Sequence, residues 1–301
     1  MLKDKKKVRS SWDDKIFDIV VYVWLTIALL LVIYPLVYVI ASSFSSPRAV
    51  LSGSVVLWPV EPGFQAYMAV FNNRQIMLGF RNSLFYTLAG TLLNVMMGML
   101  AAFPLSRKKL FGRKVINLFF IFTMFFSGGL IPYFLLVKDT LYLYDTPWAL
   151  ILPGMMSVWY VILMRTYIQS SIPEELIESA EIDGCKVFGI LLRIVVPLSK
   201  PIMAVVALYC AVGIWSSYFE AFIFIRRDSL QPLQVVLRNI LILNNFTPDM
   251  LGDVREIAQR QGMRTLLRYS IIVVSSAPLL LAYPFVQKYF VKGIMLGSIK
   301  G

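Results

Sequence analysis

The chain has 301 residues, of which 58% are hydrophobic and 15% charged, with a net charge of +12 and no histidine. An average soluble domain carries about 25% charged residues, so the composition indicates a membrane protein, and the missing histidine excludes imidazole catalysis and His-ligated metals. The basic residues cluster beside apolar runs, as membrane-flanking charges do, which argues against a nucleic-acid partner.

The N-terminus sets Lys3, Lys5, Lys6, Lys7 and Arg9 before an apolar run from about Ile16 to Ile40. A secretory signal has an apolar core of about 7–15 residues closed by a small-x-small cleavage site. This run is longer and lacks a clean site, so it reads as a retained first span. Six apolar runs follow one another at 16–41, 78–103, 115–137, 147–168, 200–224 and 269–290. Each is long enough to cross the hydrocarbon core as a helix. Ser127-Gly128-Gly129 and Pro132 interrupt the third, where a kink is expected.

Lys and Arg placement sets the orientation. With the N-terminus inside, 18 of the 29 basic residues fall on the cytoplasmic side, five of them as Arg107, Lys108, Lys109, Arg113 and Lys114. Seven of the remaining 11 lie in the long final loop, where the positive-inside rule is weak. Both termini are expected in the cytoplasm. Cys185 falls on a basic-side loop and Cys210 within a span, so no disulfide framework is implied. No internal repeat is evident, and no G-x-x-x-x-G-K-[ST] loop occurs in the chain. If ATP drives this protein, another polypeptide must bind it.

The polar loop 171–197 lies between spans four and five, on the cytoplasmic side. Ser171 and Glu174 have capping-box spacing, and Pro173 suits a first helical turn. Glu174, Glu178 and Glu181 then form an acidic stripe at i, i+4 and i+7, with Leu176, Ile177 and Ala180 as an apolar stripe on another face. Gly184 suits the helix end, where positive φ is often needed. A second short helix carries Val187, Ile190, Leu191 and Ile194 on one face, and Pro197 is expected to separate it from span five. The plain alternative is an amphipathic helix lying on the membrane. Near anionic lipid such a helix should be basic, whereas this one is acidic, which favours a positively charged protein partner.

Glu178-Ser179-Ala180, then Asp183-Gly184, then Ile194-Val195-Val196-Pro197 resembles the "EAA loop" of ABC importer permeases, which reads E-A-A, three residues, G, nine residues, I-x-L-P. Ser179 stands for the first Ala and Val196 for Leu, both conserving size class. The resemblance covers most of the chain and is to carbohydrate-uptake permeases of the maltose-permease type, with the nearest look-alikes among alginate and pectin-fragment importers. Asn82-Ser83-Leu84 has the same family look, as does the tail Gln287–Gly301, QKYFVKGIMLGSIKG. The resemblance implies an all-α polytopic bundle of six transmembrane helices forming one permease domain over residues 1–301 of a bacterial cytoplasmic (inner) membrane. It implies that Glu174, Glu178, Ser179, Ala180, Asp183, Gly184 and Pro197 seat in a groove of an ATPase subunit, Glu178 facing a basic residue. The tail, with Ser298 and Lys300, would reach the ATPase dimer interface. No cofactor is expected on this chain, ATP and Mg belonging to the ATPase pair. A second, unlike permease chain is implied, and the loop 225–268 would contact an extracytoplasmic solute-binding protein.

A sugar path needs hydrogen-bonding groups and flat aromatic faces. Span five offers Trp215, Tyr218 and Glu220, and at helical spacing Trp215 and Tyr218 share a face. They either line the path or belong to the interfacial aromatic belt. Glu220 is a path residue or sits at the interface paired with Arg226 or Arg227, since an unpaired carboxylate facing lipid is costly. Asn94 lines the path or bonds a neighbouring helix, and Asn82 lies near the outer mouth. Met96, Met97 and Met99 read as packing. Two other functions compete: an ion-driven secondary sugar carrier, which would show paired half-repeats, and a polytopic membrane enzyme, for which no acid pair or metal cluster is seen.

Overall fold

The computed structural model describes residues 12–243 and 254–297, and among these every regular element is helical. The principal helices are α1 (Trp12–Ser43), α2 (Arg74–Ser106), α3 (Arg113–Phe125), α4 (Leu130–Leu135), α5 (Val158–Ser171), α6 (Glu174–Ile182), α7 (Val187–Ile190), α8 (Lys200–Ser216), α9 (Phe219–Phe224), α10 (Leu233–Leu243) and α11 (Val254–Gly297). The chain divides into two compact units, one drawn from residues 1–70 and 248–274, the other from 71–247 and 275–301.

In the first unit α1 is apolar on all sides, with a mean hydropathy of 2.7 over its best 18 residues and none of that window buried. A helix with no polar face cannot rest at a water surface, so this element faces lipid or other protein all round. Its C-terminal end turns inward at Ala41–Ser43 and packs with Ala49, Val50, Val55, Ala66 and Leu266. The turn that follows is held by side chain to backbone bonds. Ser45 Oγ donates to Ala41 O at 2.7 Å and accepts from Val60 N at 3.0 Å.

The second unit is organised on α2. Three glycines on this helix let neighbours approach closely. A Cβ on Gly79 would lie 3.1 Å from the Leu233 backbone, and one on Gly90 would lie 2.7 Å from Ile214. One on Gly98 would meet Met164 at 3.3 Å. Such close approach through small residues is how helices associate in lipid, where no hydrophobic drive acts between them. The core beneath joins Val95, Met99 and Phe103 of α2 to Met164 and Ile168 of α5, Ile177 of α6, and Ile190 and Val195 beyond it.

Among the described residues three helices are long and apolar enough to cross a membrane: α1, α2 and the Gly262–Leu281 part of α11. The number is up to five if each of two bent pairs makes one span. The kink expected in span three is a bend of 109° between Arg113–Phe125 and Leu130–Thr140. Gly129 takes φ +84° there, a value that L side chains rarely adopt. The single helix expected at 147–168 is instead two, Trp148–Ile151 and α5, parted at Pro153-Gly154. Continuous hydropathy conceals that break, because Pro and Gly interrupt a helix without lowering its apolar content.

Candidate coupling face and outer clamp

Helix α6 opens after Pro173, whose φ −58° and ψ 138° place it as the N-cap, and no side chain caps the helix. The expected capping box does not form. Ser171 closes α5, and its hydroxyl lies against Ser170 Oγ at 3.4 Å. The free N–H groups of the first turn are complemented instead by Glu174 and Glu175 through the helix dipole. The other end follows the expectation. Gly184 takes φ +75°, and Cys185 N returns to Ala180 O at 2.9 Å.

Ile177 is buried in the core, and Ala180 packs half-buried against it. Ser179 and Asp183 are exposed, with Ser179 Oγ donating to Glu175 O at 2.8 Å. The acidic stripe is not free. Glu174 pairs with Lys108 at 2.8 Å, Glu178 with Lys109 at 3.2 Å, and Glu181 with Arg107 at 3.0 Å and Lys109 at 3.5 Å. The positive partner anticipated on another protein is thus present within this chain, on the loop that ends α2. The Lys108 ammonium, hydrogen-bonded to Glu174, holds that carboxyl below its usual range. The hydrogen bond that Lys109 donates to Glu178, then the charge of Glu178 and that of Glu181, raises Lys109. Gln169 Nε2 adds a bond to Ser106 O at 3.1 Å. Beyond these ties the open surface carries large apolar side chains among exposed Asp183 and Lys186: Ile182 is 86% exposed, and Val187 and Phe188 of α7 are 68% and 62% exposed.

Pro197 does not make the turn into span five. It lies within the short helix Val196–Leu198, after a π-helical turn Leu191–Val195. The chain bends by 79° at Ser199 instead, whose N–H returns to Val195 O at 2.8 Å. Pro197 lies in the last turn of the unbroken helical run Val187–Leu198, directly after the π-turn, in which Val196 N reaches back to Leu191 O. Ser298 and Lys300 lie outside the described residues.

At the opposite end of α2, three side chains hold one strap of backbone. Asn82 Nδ2 donates to Ser229 O (2.8 Å) and Gln231 O (3.1 Å), and Tyr86 Oη donates to Leu230 O at 2.8 Å. Ser83 Oγ accepts from Leu233 N at 2.8 Å. On the other side Asp145, itself at φ +58°, accepts from Arg226 N and Arg227 N at 2.9 Å each and pairs with Arg227 Nε at 2.9 Å. Partial desolvation alone would raise the Asp145 carboxyl. The backbone N–H of Arg227, then that of Arg226, outweigh it together with the guanidinium charge and hold the carboxyl below its usual value.

The path candidates are therefore dispersed. Asn82 is buried and bonded to the strap, and Asn94 is buried with Nδ2 on Gly154 O at 2.8 Å, so it stabilises the break of the fourth apolar run. Trp215 is 3% exposed, with Nε1 on Ser275 O at 2.9 Å and its ring edge-on to Phe80 at 5.6 Å. Tyr218 does not share a helical face with it, because α8 ends at Ser216 and α9 begins at Phe219. Glu220 is exposed and lines a crevice of about 50 Å³ with Ser83, Tyr86 and Ser217. It makes no ion pair among the described residues, and Arg227 is taken by Asp145. Neither the Asp145 clamp nor the 107–109 partners of α6 are expected from the sequence. The only signal is the cluster of cations after α2, which reads there as membrane-flanking charge.

Comparison with known proteins places the chain. A family model described as binding-protein-dependent transport system inner membrane component matches residues 94–296. The chain is 38% identical over 289 residues to the polygalacturonan/rhamnogalacturonan transport system permease protein YtcP of Bacillus subtilis (strain 168), covering 96% of this chain and 99% of that one. It is 37% identical to protein LplC of the same organism over 95% of its length and 96% of the relative's. Among solved structures, a bacterial ABC transporter involved in the import of the acidic polysaccharide alginate superposes with a TM-score of 0.84 at 34% identity, covering 93% of this chain and 98% of that one. With the family model spanning two thirds of its residues and full-length relatives above 30% identity, the chain belongs to the family of inner membrane components of binding-protein-dependent transport systems.

Proposed function

We propose that this chain is one of two unlike permease subunits of an ATP-binding-cassette importer that carries oligosaccharides, acidic ones among them, across the bacterial cytoplasmic membrane. The observation that carries the coupling part is the α6 surface. Exposed apolar side chains, Ile182 at the end of α6 and Val187 and Phe188 at the start of α7, follow directly on a helix tied by four ion pairs to the end of α2. A soluble surface tolerates few such contiguous apolar groups unless a partner covers them. The partner is the ATPase dimer, which carries the ATP and Mg. The residues seated on it are those of the loop 171–197, with the tail residues Ser298 and Lys300 beside them. The substrate class is supported by the polygalacturonan and alginate systems to which the chain is similar. Membership of a binding-protein-dependent family displaces the ion-driven carrier. An extracytoplasmic solute-binding protein would meet the chain through the region 225–268.

In this reading the chain crosses the membrane six times: three long helices, two bent pairs, and α5 with Trp148–Ile151 as the remaining crossing. The termini and α6 lie in the cytoplasm, in keeping with the basic residues after α2. Two measurements test the proposal. Tagged chain purified from native membranes should bring down a second permease and an ATPase, and the reconstituted set should take up oligogalacturonates only with ATP. Recovery of the chain alone, with uptake driven by an ion gradient, would overturn it. After replacement of Cys185 and Cys210, a cysteine at Lys109 should react only from the cytoplasmic side and one at Tyr142 only from outside. The reverse pattern would refute the orientation and the docking role together.

A further inference from the structure

The break between α3 and α4 has no explanation in packing. Ser127, Gly128 and Gly129 are all exposed, and a Cβ on Gly129 would meet nothing within 4 Å. Phe126 N still returns to Phe122 O at 3.0 Å, and Gly129 O accepts from Tyr133 N at 3.3 Å. Between these two bonds, the N–H groups of Ser127, Gly128 and Gly129, which lie outside both helices, reach no carbonyl among the described residues. Three consecutive amides are therefore bare, two of them on glycines that have no side chain to cover the backbone, and the open first turn of α4 follows directly.

Their depth makes this matter. Helix α3 opens with Arg113 and Lys114, the last of the cytoplasmic cations, and its apolar part runs from Val115 to Phe125. At 1.5 Å per residue that stretch is roughly 16 Å, about half of a hydrocarbon core about 30 Å thick. Non-helical backbone at such a depth persists only where protein buries it or water reaches it, because lipid offers no acceptors. The strap 229–233, by contrast, has its backbone groups met by Asn82, Ser83 and Tyr86. The surface at the break is also shaped. Ser127–Leu130, Pro132, Tyr133 and Leu136 line a recess of about 690 Å³. Just before it the rings of Phe122 and Phe126 stack at 4.5 Å.

We propose that residues 126–131 form part of the wall of the solute path, and that their free amides donate to hydroxyl and carboxylate oxygens of the passing carbohydrate while the neighbouring rings offer flat faces. The assignment rests on the importer reading. It moves the path from span five, where Trp215 is buried, to the break in span three. Backbone donors fit a varied cargo, since they bind any sugar oxygen and carry no charge that would trap an acidic one. The glycines are then required for bare backbone as well as for the bend.

The test uses the assembled complex with Cys185 and Cys210 replaced by Ser and Ser127→Cys added, Ser127 being exposed and its substitution small. A charged, membrane-impermeant methanethiosulfonate is applied with and without saturating short oligogalacturonates. The expected result is ready labelling, slowed at least several-fold by the sugar. No labelling would mean that lipid or the partner subunit seals the break, and labelling indifferent to sugar would mean a crevice off the path; either overturns the proposal. Uptake by the cysteine-replaced parent is measured in parallel. A parent that takes up no oligogalacturonate counts against the importer reading, while water access at the break is read from the labelling itself.

Discussion

Glu178→Lys is expected to leave the complex assembled and inserted while lowering uptake and binding-protein-stimulated ATP hydrolysis by roughly tenfold or more, the size of effect that like charges across an interface produce. The structure sharpens the reason. Glu178 is paired with Lys109 at 3.2 Å on a partly exposed surface, and exposed pairs of this kind contribute little to stability. The stability lost with that pair cannot by itself account for a tenfold effect. A large loss would have to come from what the helix does: hold the apolar side chains at its end and at the start of α7 in one orientation, with Ile177 seated in the core and the stripe fixed to the end of α2. The double variant Glu178→Lys with Lys109→Glu separates two cases. If the pair serves as a strut that carries motion from α6 to α2, the swap restores uptake towards the parent rate. If Glu178 must leave Lys109 to meet a cation on the ATPase, the swap restores nothing. Parent rates of uptake and stimulated hydrolysis in the single variant would sink both.

Much of this is readable from the sequence because it depends on local rules. The acidic and apolar stripes of α6 follow from helical spacing, and the αL turn at Gly184 follows from glycine's freedom at positive φ. The long spans α1 and α2 follow from hydropathy and length. What escapes depends on contacts between distant residues. That Glu181 meets Arg107, or Asn82 the carbonyl of Ser229, is set by how helices pack and leaves no trace in neighbouring positions. Broken spans escape for another reason. Hydropathy counts apolar residues and cannot register the direction of the chain, so Ser127-Gly128-Gly129 reads as a kink where the structure bends by 109°. Ser171 misleads because capping-box spacing is satisfied by any Ser three residues before a Glu. In the folded chain the preceding helix runs through Ser171 and leaves Pro173 to begin the next.

Trp215→Ala should destabilise the protein by about 3–5 kcal/mol, the usual cost of emptying a buried aromatic site, out of a total that for most domains is only about 5–15 kcal/mol. The indole is 3% exposed, so its loss leaves a cavity between α8 and Phe80, and the carbonyl of Ser275 loses the Nε1 donor at 2.9 Å that ties α8 to α11. The expected observation is a clear fall in the melting temperature of the purified complex and poor recovery of the second subunit, with uptake lost as a consequence. Tyr218→Ala is the control. Tyr218 is half exposed in the break between α8 and α9, and its ring touches only the neighbouring Phe219 among the described aromatic pairs. Its removal should leave melting and assembly close to the parent. Uptake in that variant then reports on whether an aromatic face near span five serves the sugar at all. A Trp215→Ala complex that melts and assembles as the parent does while failing to transport would contradict a packing role for the indole and return it to the path.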